Sequence, residues 1–274
     1  MNRALTSVLV TAVAAASATA STATPQLGKF VPADPDIHAH FGNDVSTDGQ
    51  RAVFGSFLDD DKGQYSGSAY VFEHALAGWV QSAKLTASDG APSDNFGQSV
   101  SVHGDIVAVG APNDQDFGFV SGAVYVFELV GPNWVETAKL TSPAQGGADA
   151  MGFDVAVSNG IVFAGAPGAG AQSQGQVYAY EKIGGVWTLK ATLGHSGATV
   201  ADRFGISVDV DGDLVAIGAQ TEPPRVCRRL QTLRGWSHDE KKQVLPRGPR
   251  AGRADGLRAP AGARLGVGSD RFDC

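Results

Sequence analysis

The fold is decided by residues 96–112, which read FGQSVSVHGDIVAVGAP. Ser99–Val102 alternates polar and apolar residues, whereas Asp105–Gly110 is almost continuously apolar. The first pattern is typical of a half-buried strand, and the second of a strand covered on both faces. A glycine between the two runs predicts a tight turn at His103-Gly104. The stretch therefore predicts a β-hairpin from the interior of a sheet.

This hairpin recurs about every 55 residues, in copies that start at residues 41, 96, 151 and 204. Equivalent turns are Asp48-Gly49, Asn159-Gly160 and Asp211-Gly212, where we expect positive φ at both central residues. A repeat of this period indicates a module that buries its apolar face by stacking on copies of itself. The landmarks that keep the register are Phe41, Gly42, Phe96, Gly97, Gly110, Ala111, Pro112, Gly152, Gly165, Ala166, Pro167, Phe204, Gly205 and Gly218.

Two further strands complete each unit. In the second copy they are Gly122–Phe127 and Trp134–Leu140, and both have counterparts in the first and third copies. Four antiparallel strands per unit predict an all-β fold, a β-propeller of four-stranded blades. About three blades are complete and others are partial, so we expect an open arc whose exposed edges allow self-association. The aromatic residue that recurs once per repeat predicts packing between blades.

The two ends of the chain differ from the repeats, which occupy residues 27–222. Residues 1–20 are apolar and end in Ala18-Thr19-Ala20, which predicts a secretory signal peptide and a secreted or cell-surface protein. No later run is long and apolar enough to span a membrane. Leu27–Val31 resembles the outer strand of a blade whose other strands are missing.

Residues 223–274 form a basic tail rich in Arg, Pro and Gly. Residues 1–224 carry nine basic and 23 acidic residues, whereas residues 225–274 carry 12 and five. Because the repeat pattern stops within a unit, near Gln220 to Arg225, we expect an irregular or disordered tail, or one read out of frame. The acidic repeats disfavour nucleic acid as a partner, and scattered Pro and Gly make the tail a poor nucleic-acid arm.

The landmarks resemble a known family. Phe-Gly, a hairpin and then Gly-Ala-Pro, as in Gly110-Ala111-Pro112 and Gly165-Ala166-Pro167, is similar to the FG-GAP repeat of the integrin α-subunit propeller. The closer likeness is to bacterial secreted proteins built of many such repeats. The resemblance implies a propeller outside the cytoplasm, used for adhesion or for binding a protein or glycan ligand. The family's acidic calcium loop is missing between the Phe-Gly and Gly-Ala-Pro motifs, so that calcium site is not carried over.

A different acidic loop recurs between the second and third strands. Asp59, Asp61, Asp114 and Asp116 form two Asp-x-Asp-x-Gly motifs 55 residues apart, and the third copy lacks acids there. Paired carboxylates beside a glycine turn could hold Ca²⁺ weakly, whereas solvated acidic loops need no metal. These four residues are weak candidates for a metal site, and we expect no other cofactor.

No constellation of nucleophile, acid and base occurs in the sequence. His38-Ala39-His40 could supply half of a metal site, but it occupies a loop position and predicts surface histidines. The leading hypothesis is therefore a non-catalytic binding or adhesion module. One alternative is a propeller associated with a hydrolase, which a pair of carboxylates at the channel with one raised pKa would favour. The other is a non-functional truncated fragment of a larger envelope protein.

Overall fold

The structure is a computed structural model that describes residues 29–36, 38–76, 78–144, 147–195, 200–221 and 225–232. For residues 221 and 225–232 it describes the backbone alone. The predicted signal peptide and residues 233–274 of the tail lie outside the described residues. The chain divides into a unit of residues 1–30 and a unit of residues 31–274, and the repeats belong to the second.

The described residues of the second unit contain four antiparallel sheets, which we call blades 1 to 4. In every blade the strands are hydrogen-bonded in chain order, so that the first strand is innermost. Blade 1 consists of β1 (Val45–Thr47), β2 (Arg51–Ser56), β3 (Ser68–Ala75) and β4 (Gly78–Leu85). Blade 2 consists of β5 (Ser99–His103), β6 (Ile106–Ala111), β7 (Ala123–Val130) and β8 (Asn133–Thr141). Blade 3 consists of β9 (Val155–Ser158), β10 (Ile161–Ala166), β11 (Gln176–Ile183) and β12 (Val186–Leu193). Blade 4 consists of β13 (Ser207–Asp211), β14 (Leu214–Thr221) and β15 (Arg225–Thr232).

Successive blades pack face to face through three apolar clusters. Val53 and Val71 of blade 1 meet Phe96 and Tyr125 of blade 2 in the first cluster, and the other two clusters repeat this arrangement. The innermost strands β1, β5, β9 and β13 lie side by side. Because each strand pair within a blade is antiparallel and each blade touches the next, the fold is an incomplete all-β propeller, as the sequence predicts.

The Phe-Gly and Gly-Ala-Pro motifs meet at the blade junctions. A Cβ atom added to Gly110 of β6 would lie 2.0 Å from the carbonyl oxygen of Gly152 in blade 3. The Gly152 N–H donates to the Gly165 carbonyl oxygen of its own blade at 2.9 Å. Only a residue without a side chain allows the two backbones to approach so closely. The neighbouring Met151, which stands where other copies have Phe, is fully buried.

Two of the three recurring tryptophans, Trp134 and Trp187, contact a neighbouring blade, as predicted. Trp134 packs on the cluster between blades 1 and 2, and the Arg51 guanidinium of blade 1 lies 5.5 Å from its ring centroid. The indole nitrogen of Trp187 in blade 3 donates to Glu128 of blade 2 at 3.0 Å.

Two predictions about local structure are wrong. Only Asn159-Gly160 has positive φ at both central residues. The β5–β6 hairpin pairs His103 with Ile106, so its central residues are Gly104 and Asp105, and only the glycine has positive φ. A glycine in the first central position serves a type II′ turn, which also matches strand twist.

Lys29–Val31, the described part of the predicted outer strand Leu27–Val31, forms no strand. An outer strand needs a third strand beside it, and the described residues hold none before β1.

The described residues reach into the predicted tail, at Arg225–Thr232. The backbone of β15 pairs with β14 along its whole length, from Thr221 opposite Arg225 to Leu214 opposite Thr232. Regular sheet is therefore present at Arg225–Thr232, after the predicted boundary at residue 222. The physical reason is that β14 presents a row of N–H and C=O groups that any extended segment can pair with, whatever its side chains.

Candidate functional site

The metal candidates lie at one end of the blades, which we call the loop end. It consists of the loops that join the second and third strands of blades 1 to 3, at residues 57–67, 112–122 and 167–175. In the first two loops the backbone N–H two residues after an aspartate donates to its carboxylate: Asp61 to Asp59 at 3.2 Å, and Asp116 to Asp114 at 3.1 Å. This Asx turn fixes the position of the first aspartate of each motif.

Lys84 of β4 lies among the carboxylates of blade 1. Its Nζ atom is 3.2 Å from Asp59 Oδ2, 2.5 Å from Asp61 Oδ2 and 2.6 Å from Asp34 Oδ2. Asp59 is buried, and it also accepts hydrogen bonds from the Ser68 hydroxyl at 2.9 Å and the Tyr70 hydroxyl at 3.0 Å. One ammonium group thus binds three carboxylates, and its buried partner is fully hydrogen-bonded.

The same arrangement recurs in blade 2 around Lys139 of β8. The Nζ atom of Lys139 lies 2.8 Å from Asp89, 2.8 Å from Asp114 and 2.5 Å from Asp116. The Tyr125 hydroxyl is 2.7 Å from Asp89 Oδ1 and 2.9 Å from Asp114 Oδ2, and its single proton serves one of them at a time. We call these two groups of residues the lysine clusters of blades 1 and 2.

The ionisation of the blade 1 cluster follows from its contacts. Burial favours the neutral form of Asp59, but the hydrogen bonds from Ser68 and Lys84 outweigh it and hold the pKa of Asp59 below its ordinary value. Burial likewise opposes the charge on Lys84, yet its bonds to Asp34 and Asp61 raise the pKa of this ammonium. Burial raises the pKa of Tyr70 to about 12, so the phenol stays protonated as a donor.

These contacts bear directly on the calcium hypothesis. Asp59, Asp61, Asp114 and Asp116 all bind a lysine ammonium, which lies where a cation shared by the carboxylates would sit. A Ca²⁺ ion needs six to eight oxygen ligands and would have to displace this lysine first. No group of three or more metal-ligating side chains that could hold an ion occurs within the described ranges. The four aspartates fit an internal ion-pair network better than a metal site.

In blade 3 a cluster without a lysine takes the same place. The Ser142 hydroxyl donates to Asp149 Oδ2 at 2.6 Å, and the Tyr178 hydroxyl donates to Gln176 Oε1 at 2.7 Å. Tyr178 corresponds to Tyr125, but Thr192 lies opposite it, where Lys139 lies opposite Tyr125. Blade 3 therefore lacks both the loop aspartates and the lysine. This is expected if the lysine ammonium and the aspartate carboxylates neutralise each other's charge in blades 1 and 2.

A second polar region lies along the innermost strands, around a cavity of about 360 Å³ that β1, β5, β9 and β13 line. Asp44 accepts the N–H of Val100 at 2.7 Å, and Asp154 accepts the N–H of Val208 at 2.6 Å, each from the following blade. Ser46 and Ser101 accept the N–H groups of the following inner strands in the same way. The inner strands are therefore joined by side chains, because their backbones do not pair with one another.

Asp44 and Asp154 are two carboxylates beside the inner cavity with a raised pKa, and the sequence alone did not reveal them. Burial raises the pKa of Asp154 to about 6, although hydrogen bonds from Val208 and Val155 oppose this, and the charge of Asp44 adds to the rise. Burial also raises the pKa of Asp44. Both oxygens of each carboxylate accept a backbone N–H: Val100 and Val45 for Asp44, Val208 and Val155 for Asp154.

Large aromatic side chains are exposed at the loop end. Phe119 is 76% exposed, and Phe117 and Tyr65 are also exposed. The backbone that carries them is held by the next blade: the carbonyl oxygen of Phe119 accepts the Ala148 N–H at 2.7 Å, and that of Tyr65 accepts the Asn95 N–H at 3.1 Å. Aromatic side chains on a fixed backbone are typical of binding surfaces.

The histidines of the sequence motif do not form a site in the structure. The side chain of His38 is largely exposed and lies 3.6 Å from Asp36. His40, which has positive φ, meets the ring of Phe57 edge to face.

Repeated four-stranded blades joined by glycine contacts define a β-propeller-type repeat protein. The family model of the FG-GAP repeat matches residues 25–72, 79–127 and 187–224. The chain is an FG-GAP repeat protein. The second and third matches each begin in the outer strand of one blade and end in or near the third strand of the next. One family repeat therefore spans the junction between two blades.

Blade 3 falls largely between the matches, yet its junctions have the same geometry as the others. Among curated proteins, none matches this chain. FG-GAP repeats are typical of extracellular or surface proteins, and the family is typically non-catalytic. Within the described ranges, no helix has the length and apolar character needed to cross a bilayer.

Proposed function

We propose that this chain is a secreted or cell-surface binding module without catalytic activity, and that its loop end contacts an extracellular protein or glycan. The contact residues are those of the loops at 59–66, 114–121 and 168–174. One observation carries the proposal: exposed aromatic side chains, Tyr65, Phe117 and Phe119, lie on loops whose backbone the neighbouring blade already holds in place.

The fixed backbone lowers the entropic cost of binding. In blade 2 the carbonyl oxygens of Phe119, Val120 and Ser121 accept N–H groups from the following linker at 2.7, 2.9 and 3.1 Å. The loop therefore loses little freedom when a ligand arrives, and the aromatic rings need only two torsions fixed. Phe rings pack well on the apolar faces of sugars and in apolar pockets of proteins.

Charge at the same end narrows the ligand class. Asp60 and Asp116 are exposed beside the aromatic residues, and residues 1–224 carry 14 more acidic than basic residues. This field repels polyanions, so the loop end favours neutral or basic ligands. Neutral polysaccharides and basic protein surfaces both fit this description.

The proposal is tested with the full chain and a panel of immobilised probes, namely cellulose, chitin, peptidoglycan, collagen and fibronectin. The variant F117S/F119S should lose at least ten-fold in retention on any probe that the natural chain binds. Leu76→Ser is the matched control, because Leu76 is fully exposed at the opposite end, in the β3–β4 turn. If both variants bind like the natural chain, or if the natural chain binds no probe, the loop end is not the binding surface that we propose.

The hydrolase alternative now has one observation in its favour, the carboxylates of Asp44 and Asp154 beside the inner cavity, where burial raises the pKa of Asp154 to about 6. We propose a structural role instead, since both oxygens of each carboxylate accept backbone N–H groups, one from the next residue of the same blade and one from the following blade. Release of reducing ends from the same polysaccharides, abolished in Asp154→Asn while the melting temperature is kept, would support the alternative.

A further inference from the structure

The three internal junctions between blades follow one pattern that can be compared with the two outer edges. At each junction a glycine of the earlier blade touches the carbonyl oxygen of a glycine in the later blade. A Cβ atom added to the earlier glycine would lie 2.0 Å from that oxygen in all three cases, namely Gly55 against Gly97, Gly110 against Gly152 and Gly165 against Gly205. The first valine of each later inner strand is buried at the junction with the earlier blade. Val100 is 3% exposed, Val155 is 4% exposed and Val208 is 6% exposed.

At each internal junction the later blade contributes one of the two contacting surfaces. In blade 1 the same surface is exposed, and we call it the leading edge. Val45 occupies the position of Val100, Val155 and Val208, yet it is 57% exposed. Gly42 occupies the position of Gly97, but its Cβ position has no atom within 4 Å, whereas that of Gly97 lies 2.1 Å from the Ser68 carbonyl oxygen. The leading edge thus has the shape of a junction surface with its partner missing.

Blade 4 exposes the opposite surface, the trailing edge. Gly218 occupies the position of Gly165, but the atoms nearest its Cβ position belong to Ser207 and Ile206 of its own blade, at 3.2 and 3.6 Å. Asp209 occupies the position of the buried Ser101 and is exposed. Among the described residues, the three heavy atoms nearest to this Cβ position include no carbonyl oxygen of a following blade.

The polar groups of the two edges are complementary as well. At an internal junction Ser46 Oγ accepts the N–H of Val102 at 3.1 Å, and Ser101 Oγ accepts that of Val157 at 2.9 Å. On the trailing edge the acceptor at this position is the Asp209 carboxylate. On the leading edge the corresponding N–H belongs to Thr47. A carboxylate is a stronger acceptor than a hydroxyl, so the contact would be at least as good as the internal ones.

We propose that two copies of this chain bind head to tail, the trailing edge of each on the leading edge of the other. In this dimer Gly218 receives the Gly42 carbonyl oxygen of the second copy, and the trailing blade covers Val45. Both junctions form at once. The described residues supply four inner strands per copy, so the blades that they form in two copies would make a ring of eight, within the four to eight that propellers use. A repeated head-to-tail contact that closes on itself gives a symmetric assembly without open edges.

The test uses one variant at each edge of the full chain, with mass measured by light scattering after size exclusion. Gly218→Ala adds a methyl that lies 3.2 Å from Ser207 Cβ, so its own blade has to shift only slightly, whereas a Gly42 carbonyl oxygen would clash with it. Val45→Asp places a charge on the surface that the trailing blade would bury. We expect the natural chain to be a dimer and each variant alone to be about 100-fold weaker in dimerisation. Gly194→Ala, where the added methyl meets open space, should remain dimeric.

Mixing the two variants supplies the decisive result. A mixture contains one intact junction, formed by Gly218 of the Val45→Asp chain and Val45 of the Gly218→Ala chain, so heterodimers should reappear. Thermal unfolding shows whether each variant is folded, and for a variant that is not, Thr47→Pro replaces Val45→Asp and Gly218→Ser replaces Gly218→Ala. A monomeric natural chain, variants that dimerise normally or a mixture that stays monomeric would overturn the proposal.

Discussion

Replacing Lys139 by methionine removes the cation from the lysine cluster of blade 2 and keeps most of the side-chain volume. The side chain of Lys139 is 17% exposed and that of Asp114 only 3%, so Asp114 would be left as a buried charge. Removing one partner of a buried pair costs about 3–5 kcal/mol. Asp89 and Asp116 are about half exposed and regain water, so their share is small. We therefore expect a loss of about 3 kcal/mol in the free energy of unfolding.

Urea unfolding at pH 7, followed by tryptophan fluorescence, measures this loss. With a slope of about 2–3 kcal/mol per molar, the midpoint should fall by about 1 M. The matched control is Lys182→Met, because Lys182 pairs with Glu128 at 2.6 Å but is 35% exposed. That pair should contribute less than about 1 kcal/mol.

A double-mutant cycle decides the cause of the loss. Asp114→Asn removes the buried charge, so adding Lys139→Met to that variant should cost about 1 kcal/mol rather than about 3. Equal losses for Lys139→Met in the natural and Asp114→Asn backgrounds, or a loss no larger than that of Lys182→Met, would show that the lysine does not compensate a buried carboxylate.

Three further predictions follow from the junctions and the clusters. Gly165→Ala should lower the free energy of unfolding by about 3 kcal/mol or more, because its methyl would lie 2.0 Å from a carbonyl oxygen, whereas Gly194→Ala should change it by less than about 0.5 kcal/mol in the same urea titration. Asp154 binds its proton more tightly in the folded state, where its pKa is about 6, than in the unfolded state, where its ordinary pKa is 3.8. The free energy of unfolding should therefore fall by at most about 3 kcal/mol as the pH rises from about 4 to 7. Asp154→Asn should remove this pH dependence in urea titrations at several pH values. Millimolar Ca²⁺ or excess EDTA should leave the melting temperature within 1 °C or so, since lysines already bind the candidate aspartates; a rise with Ca²⁺ would revive the metal site.

The strands of the repeats could be predicted closely from the sequence. Trp134–Leu140 was expected as an outer strand, and β8 covers Asn133–Thr141. The alternation of polar and apolar residues and the turn residues indicate where each strand lies. The four copies make these positions more certain, because the same pattern recurs in each. The strand at Arg225–Thr232 was not predicted, because its formation depends on an open edge of β14 rather than on its own pattern.

The candidate site was predicted in part. The acidic loops are evident as motifs, and Lys84 and Lys139 recur at the same spacing, which was the available signal for the lysine clusters. Their meaning was missed because a lysine 25 residues after its aspartate in sequence shows no contact until β4 and β8 bring it to the loop end. The exposed aromatic residues are likewise visible only in the structure, since most aromatic residues in the described ranges are buried or partly buried and the sequence does not mark the exceptions.

The amino-acid sequence by itself determined the repeat, the strands and the glycine positions, because backbone preference and apolar periodicity act over a few residues. Only the tertiary structure decided that lysines bind the candidate aspartates, that Asp44 and Asp154 join the inner strands, and that Val45 and Gly218 lie on complementary edges. These properties depend on contacts between residues about 25 to 56 positions apart or on separate copies. The stacking of the blades brings such distant residues together, and it therefore decides which side chains are buried and which charges lie side by side.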